Sequence, residues 1–246
     1  MSAQNGAVKD APTPKVTLDT PITEKQQPEI SREGISAMRR SYGEQGLSES
    51  AAHSDPITQF QSWLREATNN SMIVEANAMV LSTVSTSGPT SRTVLLKDVT
   101  QEGFTFFTNY NSRKAGEIAE NSSVSLLFPW YPMERQIIIT GKAAKISESA
   151  SQEYFSTRPW SSQIGAWASE QSSQLDARET LERRCKEFAE KYPEGTSVPK
   201  PPYWGGFVVS PETIEFWQGR YSRLHDRLRY VRQETQSNWK LQRIFP

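Results

Sequence analysis

Two positively charged residues stand at the ends of an otherwise apolar run, Arg92 to Lys97, which reads RTVLLK. In a strand, alternation places Arg92 on one face and Lys97 on the other. The two cations would then bind two different anionic ligands. For this segment alone, the alternative is an edge strand that ends in ordinary surface charges.

Arg113 and Lys114 fall in the first turn of a predicted helix, SRKAGEIAEN, with Ser112 as its cap. Cations at a helix N-terminus oppose the positive end of the helix dipole, at a cost of about 0.3–1 kcal/mol each. A bound anion removes the conflict, because free backbone N–H groups and both side chains can converge on it. Solvated surface charges are the alternative.

The segment RYSRLHDRLRY carries a third group of cations. If it is extended, Arg223, His225 and Arg227 share one face, and Leu224 points the other way. Such a face suits a phosphorylated or electron-rich ligand, or nucleic acid, and a solvated outer strand is the alternative. The nearby Trp217 could stack on a planar ring or belong to the core.

Tyr154, Arg158 and Ser162 offer two hydroxyls and one guanidinium. Tyr154 and Arg158 would share a face of a predicted helix, because they are four residues apart, and Ser162 follows just beyond Pro159. Together these donors match the size of a phosphate group. Alone, the set is weak evidence for a site.

Common nucleotide and metalloprotease motifs are absent: the sequence has no GxGxxG after a strand, no GxxxxGK[ST] and no HExxH. Two histidines and one cysteine give poor support to a histidine metal site or a serine triad, and exclude an internal disulfide. We therefore expect no metal, and a cofactor that carries the difficult electronic step. Lys plus Arg (28) equals Asp plus Glu (28), which argues against a nonspecific nucleic-acid binder.

Helical and strand periodicity indicate the elements that position these groups. DPITQFQSWLREATNN predicts a helix with Asp55 as N-cap and Pro56 in its first turn. Helices are also predicted over SRKAGEIAEN, SESASQEYFSTRP and DARETLERRCKEFAEKY. Strands are predicted over AMVLSTVS, TSRTVLLKDV, GFTFFTN, SVSLLFPW, RQIIITGKAAKI, FVVS, TIEFWQG, RLRYVRQ and a segment near WKLQRIF. This order indicates a mainly β fold with flanking helices, a closed or half-closed barrel.

The N-terminal region is poor in aromatics and rich in Pro, Gln, Lys and Thr. Such a segment buries too little apolar surface to offset its ordering entropy, so we predict a flexible tail over 1–37 and one domain over 38–246. No run approaches the roughly 18 apolar residues that span a membrane. The N-terminus lacks the layout of a secretory signal, so we expect a cytoplasmic protein without a membrane partner.

These groups, in this order, resemble the pyridoxine (pyridoxamine) 5'-phosphate oxidase family. The matching stretches are RRSY, SRTVLLK, GFTFFTN, SRK, ERQ, YFSTRPWSSQIGAWAS, EQSS, WGGF and EFWQGRYSRLHDR. They run from about Met38 to the C-terminus. The long stretches together are very specific to the family.

The resemblance implies a split β-barrel that binds FMN, in a homodimer with both active sites at the subunit interface. It implies that residues 38–246 oxidise pyridoxine or pyridoxamine 5'-phosphate to pyridoxal 5'-phosphate, with oxygen as acceptor and release of hydrogen peroxide. Another split-barrel flavoprotein, such as a flavin reductase or a noncatalytic carrier of flavin or pyridoxal phosphate, is the first alternative. The second is a nucleic-acid-binding module that uses residues 220–232, and the zero net charge speaks against it.

The resemblance also implies which residues contact which ligand. The FMN contacts would be Arg92, Thr93, Val94, Leu95, Phe107, Thr108, Arg113, Lys114, Gln136, Gln171, Ser172, Trp217 and Arg227. The substrate contacts would be Arg39, Arg40, Ser41, Tyr42, Lys97, Tyr154, Arg158, Ser162, Arg223, Leu224 and His225. Of these, Arg223 and His225 would cover the pyridine ring and act in catalysis.

Overall fold

The computed structural model describes residues 35–36, 38, 41–233 and 238–246 of the chain. Ser41–Pro246 forms one compact unit. The predicted tail, residues 1–37, lies outside the described residues except for Ile35 and Ser36, so its flexibility stays a prediction. Among the described residues, no helix is both long and apolar enough to cross a membrane.

Five α-helices form within the described part of the compact unit. They are α1 (Pro56–Thr68), α2 (Arg113–Glu120), α3 (Glu148–Ser156), α4 (Trp160–Ala168) and α5 (Arg178–Lys191). Asp55 caps α1 as predicted, because its carboxylate accepts from the N–H groups of Ile57 and Thr58. Pro56 occupies the first turn, where its missing N–H costs nothing. For the stretch that forms α4 we predicted no element.

The nine strands of the described residues form one antiparallel sheet. They are β1 (Ala78–Ser85), β2 (Gly88–Leu95), β3 (Asp98–Thr100), β4 (Gly103–Asn109), β5 (Ser123–Trp130), β6 (Arg135–Lys145), β7 (Trp204–Gln218), β8 (Asp226–Arg232) and β9 (Trp239–Arg243). Their order is β2-β1-β5-β6-β7-β4-β3, with β8 beside β7 and β9 beside β8. Because β2 and β3 do not pair, the sheet stays open. This confirms a mainly β fold with flanking helices, of the open split-barrel type.

The longest strand, β7, pairs with different neighbours along its length. Two separate strands were predicted here, FVVS and TIEFWQG, but the structure has one strand of 15 residues. Its first part, from Trp204 to Val209, pairs with β4, and its last part, from Thr213 to Gln218, pairs with β8. Strand β6 pairs with it from Phe207 to Gln218, with a register shift near Gly141. The strand therefore links two distant parts of the sheet.

The predicted strand TSRTVLLKDV is interrupted. Strand β2 ends at Leu95, and β3 begins at Asp98. The Leu96 N–H donates to the Asn77 carbonyl at 2.9 Å, whereas the Lys97 N–H donates to the Thr105 carbonyl of β4 at 2.8 Å. The chain thus changes partners within two residues, and this brings Lys97 to the side of β4.

The core lies between α1 and the sheet. Phe60 of α1 is fully buried, with its ring centroid 4.9 Å from Phe104 and 5.0 Å from Phe128, both in edge-on contact. Trp63, one turn along, meets Phe216 of β7 at 5.2 Å. Edge-on aromatic pairs add about 0.5–1.5 kcal/mol each to the burial of their surface. The helix therefore packs against three strands, β4, β5 and β7.

Phe60→Ala should lower the free energy of unfolding by about 3–5 kcal/mol, because it leaves a cavity among three aromatic rings. Phe60→Leu should cost less, since it keeps part of the volume. Met72→Ala, at a position 71% exposed, is the matched control. Urea unfolding followed by tryptophan fluorescence measures all three, and equal effects at Phe60 and Met72 would contradict this account of the core.

Candidate active site

A cavity of about 670 Å³ opens between β4, α3 and α4. Residues predicted from the sequence line it: Leu95, Lys97, Phe107, Thr108, Tyr154, Arg158, Ser162 and Gln171. Half of them were predicted for FMN and half for the substrate. The structure thus brings parts of both predicted sets to one place.

One wall of the cavity is a stack of aromatic rings. The ring centroids of Phe107 and Tyr154 are 3.9 Å apart, and Trp204 lies 5.3 Å from Phe107. Helix α3 packs closely against β7 at Gly205, which has no side chain to separate them. A Cβ there would lie 2.9 Å from the Ser151 hydroxyl of α3.

Arg158 lines the cavity and has one unsatisfied donor. Its Nη1 atom is buried and has no hydrogen-bond partner among the described residues. Its guanidinium lies over the Trp204 ring, 4.7 Å from the centroid. Burial lowers the pKa of Arg158 from its ordinary value, but a guanidinium stays protonated. A buried donor without an acceptor costs about 1–3 kcal/mol, so an anion at this atom would be stabilising.

The local geometry around Arg158 differs from the prediction. Helix α3 ends two residues earlier, so Arg158 does not lie on the helix that carries Tyr154. Its N–H donates to the Phe155 carbonyl at 3.2 Å, in the turn between α3 and α4. Helix α4 begins directly after Pro159, and Ser162 lies in its first turn. Both residues line the cavity, so the positive end of the α4 dipole is available to an anion there.

Lys114 contacts two residues that line this cavity, Thr108 and Gln171. Its Nζ donates to the Thr108 hydroxyl at 3.1 Å, to the Ser112 hydroxyl at 3.2 Å and to the Gln171 side-chain oxygen at 2.8 Å. Ser112 occupies the predicted cap position, but its hydroxyl accepts from Lys114 and makes no cap hydrogen bond. Burial, and then the charge of Arg92, lower the pKa of Lys114 to about 8.

Arg92 and Arg113 share a buried carboxylate, Glu117, that the sequence did not single out. The carboxylate accepts from Arg92 Nη2 at 2.9 Å and from Arg113 Nε at 2.8 Å. The hydroxyls of Thr83 and Thr90 donate to it at 2.6 and 2.7 Å. Burial raises the pKa of Glu117, but these four hydrogen bonds outweigh it and lower the pKa to about 2. Glu117 is therefore ionised at neutral pH.

The other residues predicted to contact FMN between Arg92 and Ser172 do not all line this cavity. Arg92 turns toward α2 and Lys97 lines the cavity, but Lys97 lies beyond the end of β2, so the strand alternation that we predicted does not separate the two cations. Thr93 is exposed, Val94 packs against the core, and neither lines the cavity. Ser172 is exposed, with φ 75°, and lines an adjoining cavity of about 270 Å³.

A second group of predicted residues forms at the other end of β7. Gln136, Trp217 and Arg227 lie side by side, in register, on β6, β7 and β8. The Tyr42 ring meets Trp217 edge-on at 5.7 Å, and the His225 ring lies 4.6 Å from Trp217. We call these five residues the distal group. They come from four separate stretches of the chain.

The prediction that Arg223, His225 and Arg227 share one strand face is wrong. Tyr221–Arg223 form a 3-10 turn whose last two residues have φ angles of 54° and 63°, and β8 begins only at residue 226. Arg223 and Leu224 are exposed beside the distal group, whereas His225 is half-buried. Alternation fails because the chain is not extended here.

His225 has a defined hydrogen bond and charge state. Its Nδ1 accepts from the Arg220 N–H at 3.0 Å, which leaves the proton of the neutral ring on Nε2. Burial, and then the charge of Arg223, lower the pKa of His225 below its ordinary value. The imidazole is therefore neutral at neutral pH, with one donor to offer a ligand.

The cavity and the distal group lie far apart along one strand. Trp204 lines the cavity and begins β7, while Trp217 stands near its end. Thirteen residues separate them, roughly 40 Å of strand at about 3.3 Å per residue. The two groups therefore lie near opposite ends of β7.

Two family models match the chain. One, described as pyridoxamine 5'-phosphate oxidase, matches residues 66–192. The other, described as the C-terminal dimerisation region of pyridoxine 5'-phosphate oxidase, matches residues 204–246. The chain belongs to the pyridoxamine 5'-phosphate oxidase family. It is an oxidoreductase, and the family predicted from the sequence is confirmed.

Relatives of high identity cover nearly the whole chain. The pyridoxine/pyridoxamine 5'-phosphate oxidase of Streptomyces avermitilis is 48% identical over 214 residues, which is 85% of this chain and 95% of the relative. The protein of the same name from Rubrobacter xylanophilus is 49% identical over 220 residues, which is 89% of this chain and 100% of the relative.

Solved structures agree with the fold of this oxidase-family chain. PhzG from Burkholderia lata, in complex with tetrahydrophenazine-1-carboxylic acid, is 30% identical with a TM-score of 0.76, over 84% of this chain and 100% of its own. A pyridoxamine 5'-phosphate oxidase-related, FMN binding protein from Nostoc punctiforme has a TM-score of 0.62, over 82% of this chain and 100% of its own. At 16% identity, it supports the fold alone.

Three of the residues predicted to contact the substrate belong to neither the cavity nor the distal group. Arg39 and Arg40 lie outside the described residues, and Ser41 is exposed beside Tyr42. Within the described stretches, no group of three or more His, Cys, Asp or Glu residues could hold a metal ion.

Arg223→Ala should raise the pKa of His225, because it removes the second cause of the lowering and leaves burial in place. An NMR titration of the imidazole protons measures this shift. The chain has two histidines, so a His53→Gln variant assigns the signals. An unchanged His225 pKa would mean that the Arg223 charge does not reach the ring.

Proposed function

We propose that this chain is an FMN-dependent oxidase that converts pyridoxine or pyridoxamine 5'-phosphate to pyridoxal 5'-phosphate, with oxygen as acceptor and hydrogen peroxide as product. The observation that carries the proposal is the buried Nη1 of Arg158, which has no partner among the described residues. Arg158 lines the cavity, and relatives of this chain are named for a phosphorylated substrate.

The substrate phosphate fits the donors around Arg158. Lys97, Tyr154 and Ser162 line the same cavity, and the first turn of α4 adds its dipole. A phosphate carries nearly two negative charges at neutral pH. Charge-assisted hydrogen bonds of roughly 1.5–3 kcal/mol each would hold it at a fixed distance from the aromatic wall. The phosphate would thereby orient the pyridine ring.

The FMN phosphate fits the group around Lys114. Arg92, Arg113 and Lys114 bring three positive charges, and Glu117 brings one negative charge, so the group is left with about two charges for a phosphate dianion. Further contacts to FMN are proposed for Thr93, Val94, Leu95, Phe107, Thr108, Gln171 and Ser172. FMN, when bound, supplies the two-electron acceptor that side chains lack.

The distal group would complete each site from a second copy of the chain. Gln136, Trp217 and Arg227 would contact the flavin, while Arg223, Leu224, His225 and the 39–42 stretch would contact the vitamer. The long separation along β7 supports this arrangement, and so does the match of residues 204–246 to a region described as a dimerisation region. Two copies related by a two-fold axis form two identical sites.

The proposed catalytic residues would act on the pyridine ring. Arg223 would bind its polar substituents and favour negative charge on them, and the neutral His225 would donate from Nε2. The protein's contribution is thus positioning and electrostatics.

The proposed function is tested by the absorption spectrum of the purified protein. A flavin spectrum should bleach anaerobically on addition of pyridoxine 5'-phosphate, and air should restore it with release of peroxide. Pyridoxine without its phosphate is the matched control and should bleach far more slowly. A colourless protein that takes up no FMN, or one that consumes NADPH but leaves both vitamers unchanged, would contradict the proposal.

Mixing two inactive variants should restore activity if each site is shared between subunits. Arg158→Ala damages the cavity and Arg223→Ala the segment beside the distal group. In a hybrid dimer, one site carries both substitutions and the other neither, so random exchange should restore up to roughly a quarter of wild-type activity. Arg158→Ala mixed with Lys97→Ala is the control, because both lie in the cavity and every hybrid site is damaged. Equal recovery in both mixtures would argue against shared sites.

A further inference from the structure

Glu117 is a buried acid in the middle of a positively charged group. The residue is 5% exposed, and both of its carboxylate oxygens accept hydrogen bonds. The donors come from β1 (Thr83), from β2 (Thr90 and Arg92) and from α2 itself (Arg113). Burying a carboxylate is costly unless it is paired, and here four side chains donate hydrogen bonds to it.

The arrangement fixes the two arginines from opposite sides. Arg92 reaches the carboxylate from the sheet, and its Nη1 also donates to the Leu81 carbonyl at 3.2 Å. Arg113 reaches it along the helix, four residues away, although its side chain is 60% exposed. Without Glu117, an exposed arginine side chain has many rotamers, and ordering one costs up to about 2 kcal/mol.

We propose that Glu117 is a positioning residue of the cofactor-phosphate site, which orients Arg92 and Arg113 beside Lys114. This inference rests on the proposed function, in which those three cations hold the FMN phosphate. The inference goes beyond the proposed function, because it gives a role to a residue that would contact neither FMN nor the substrate. The residue acts through its neighbours.

The effect on Lys114 follows from the charges that face it. Arg92 of β2 lowers its pKa, Glu117 raises it, and its other contacts are the neutral Thr108, Ser112 and Gln171. With its pKa at about 8, Lys114 is mostly protonated at neutral pH. Loss of the Glu117 charge would move that pKa down toward neutrality. Since the phosphate prefers the protonated amine, FMN affinity should fall as the pH rises through this pKa.

The test is the pH dependence of FMN binding in Glu117→Gln, measured by quenching of flavin fluorescence from about pH 6 to about pH 10. Near neutral pH, the variant should bind FMN roughly tenfold more weakly than wild type. Its loss of affinity should begin about one pH unit lower, which corresponds to a tenfold change in proton affinity. A merely structural role would not move this midpoint.

Three further variants isolate the cause. Glu120→Gln, on the same helix but exposed, is the matched control and should behave like wild type. Lys114→Arg combined with Glu117→Gln should abolish the shifted midpoint, because an arginine does not titrate in this range. Glu117→Asp keeps the charge on a shorter side chain, so it should lose affinity but keep the wild-type midpoint.

The outcomes separate the inference from the proposed function. Wild-type affinity in Glu117→Gln, or a loss that is equal at every pH, would overturn the inference while the wild-type protein still binds FMN. If Glu117→Gln does not fold, unchanged affinity in Glu117→Asp overturns it instead. A wild-type protein that takes up no FMN would overturn the proposed function, and the inference with it.

Discussion

Strand β7 is hydrogen-bonded to neighbours over nearly its whole length, to β4 at its start and to β6 and β8 beyond. Trp204 at one end and Trp217 near the other therefore belong to different parts of the sheet. The distal group lies on β6, β7 and β8, at the end of β7 away from the cavity.

The cations beside the cavity and those of the distal group are paired with acids in the same way. Glu117 holds Arg92 and Arg113, and Glu215, which is 3% exposed, accepts from Arg227 at 2.7 Å and from Arg229 at 2.7 Å. In each case one buried carboxylate serves two arginines, so a positive charge remains on the group. A buried carboxylate without a partner would be costly, and in each group the two arginines supply the partners.

Local patterns predicted the strands well, because β1, β4 and β5 have the bounds of the predicted runs. The local patterns failed to predict the elements whose conformation depends on tertiary contacts. Helix α4 has apolar residues at helical spacing in WSSQIGAWA, but it is short and follows a proline that also marks the end of α3. The turn at Tyr221–Arg223 needs positive φ angles at non-glycine residues, which no pattern announces. The cations were recognised from the sequence, whereas Glu117 was not, since its partners lie on strands distant in sequence.

The arm that carries Tyr42 is held at two points, by the residue before β6 and by β9. Gly43 donates its N–H to the Glu134 carboxylate at 2.8 Å, and Arg243 of β9 pairs with Glu49 at 2.7 Å. Tyr42 lies just before these anchors, so they hold its ring against Trp217. Exposed ion pairs contribute little to stability, but here they restrict a segment that has few contacts of its own. Arg243, in the stretch that matches the dimerisation region, thus helps to order the arm that carries Tyr42.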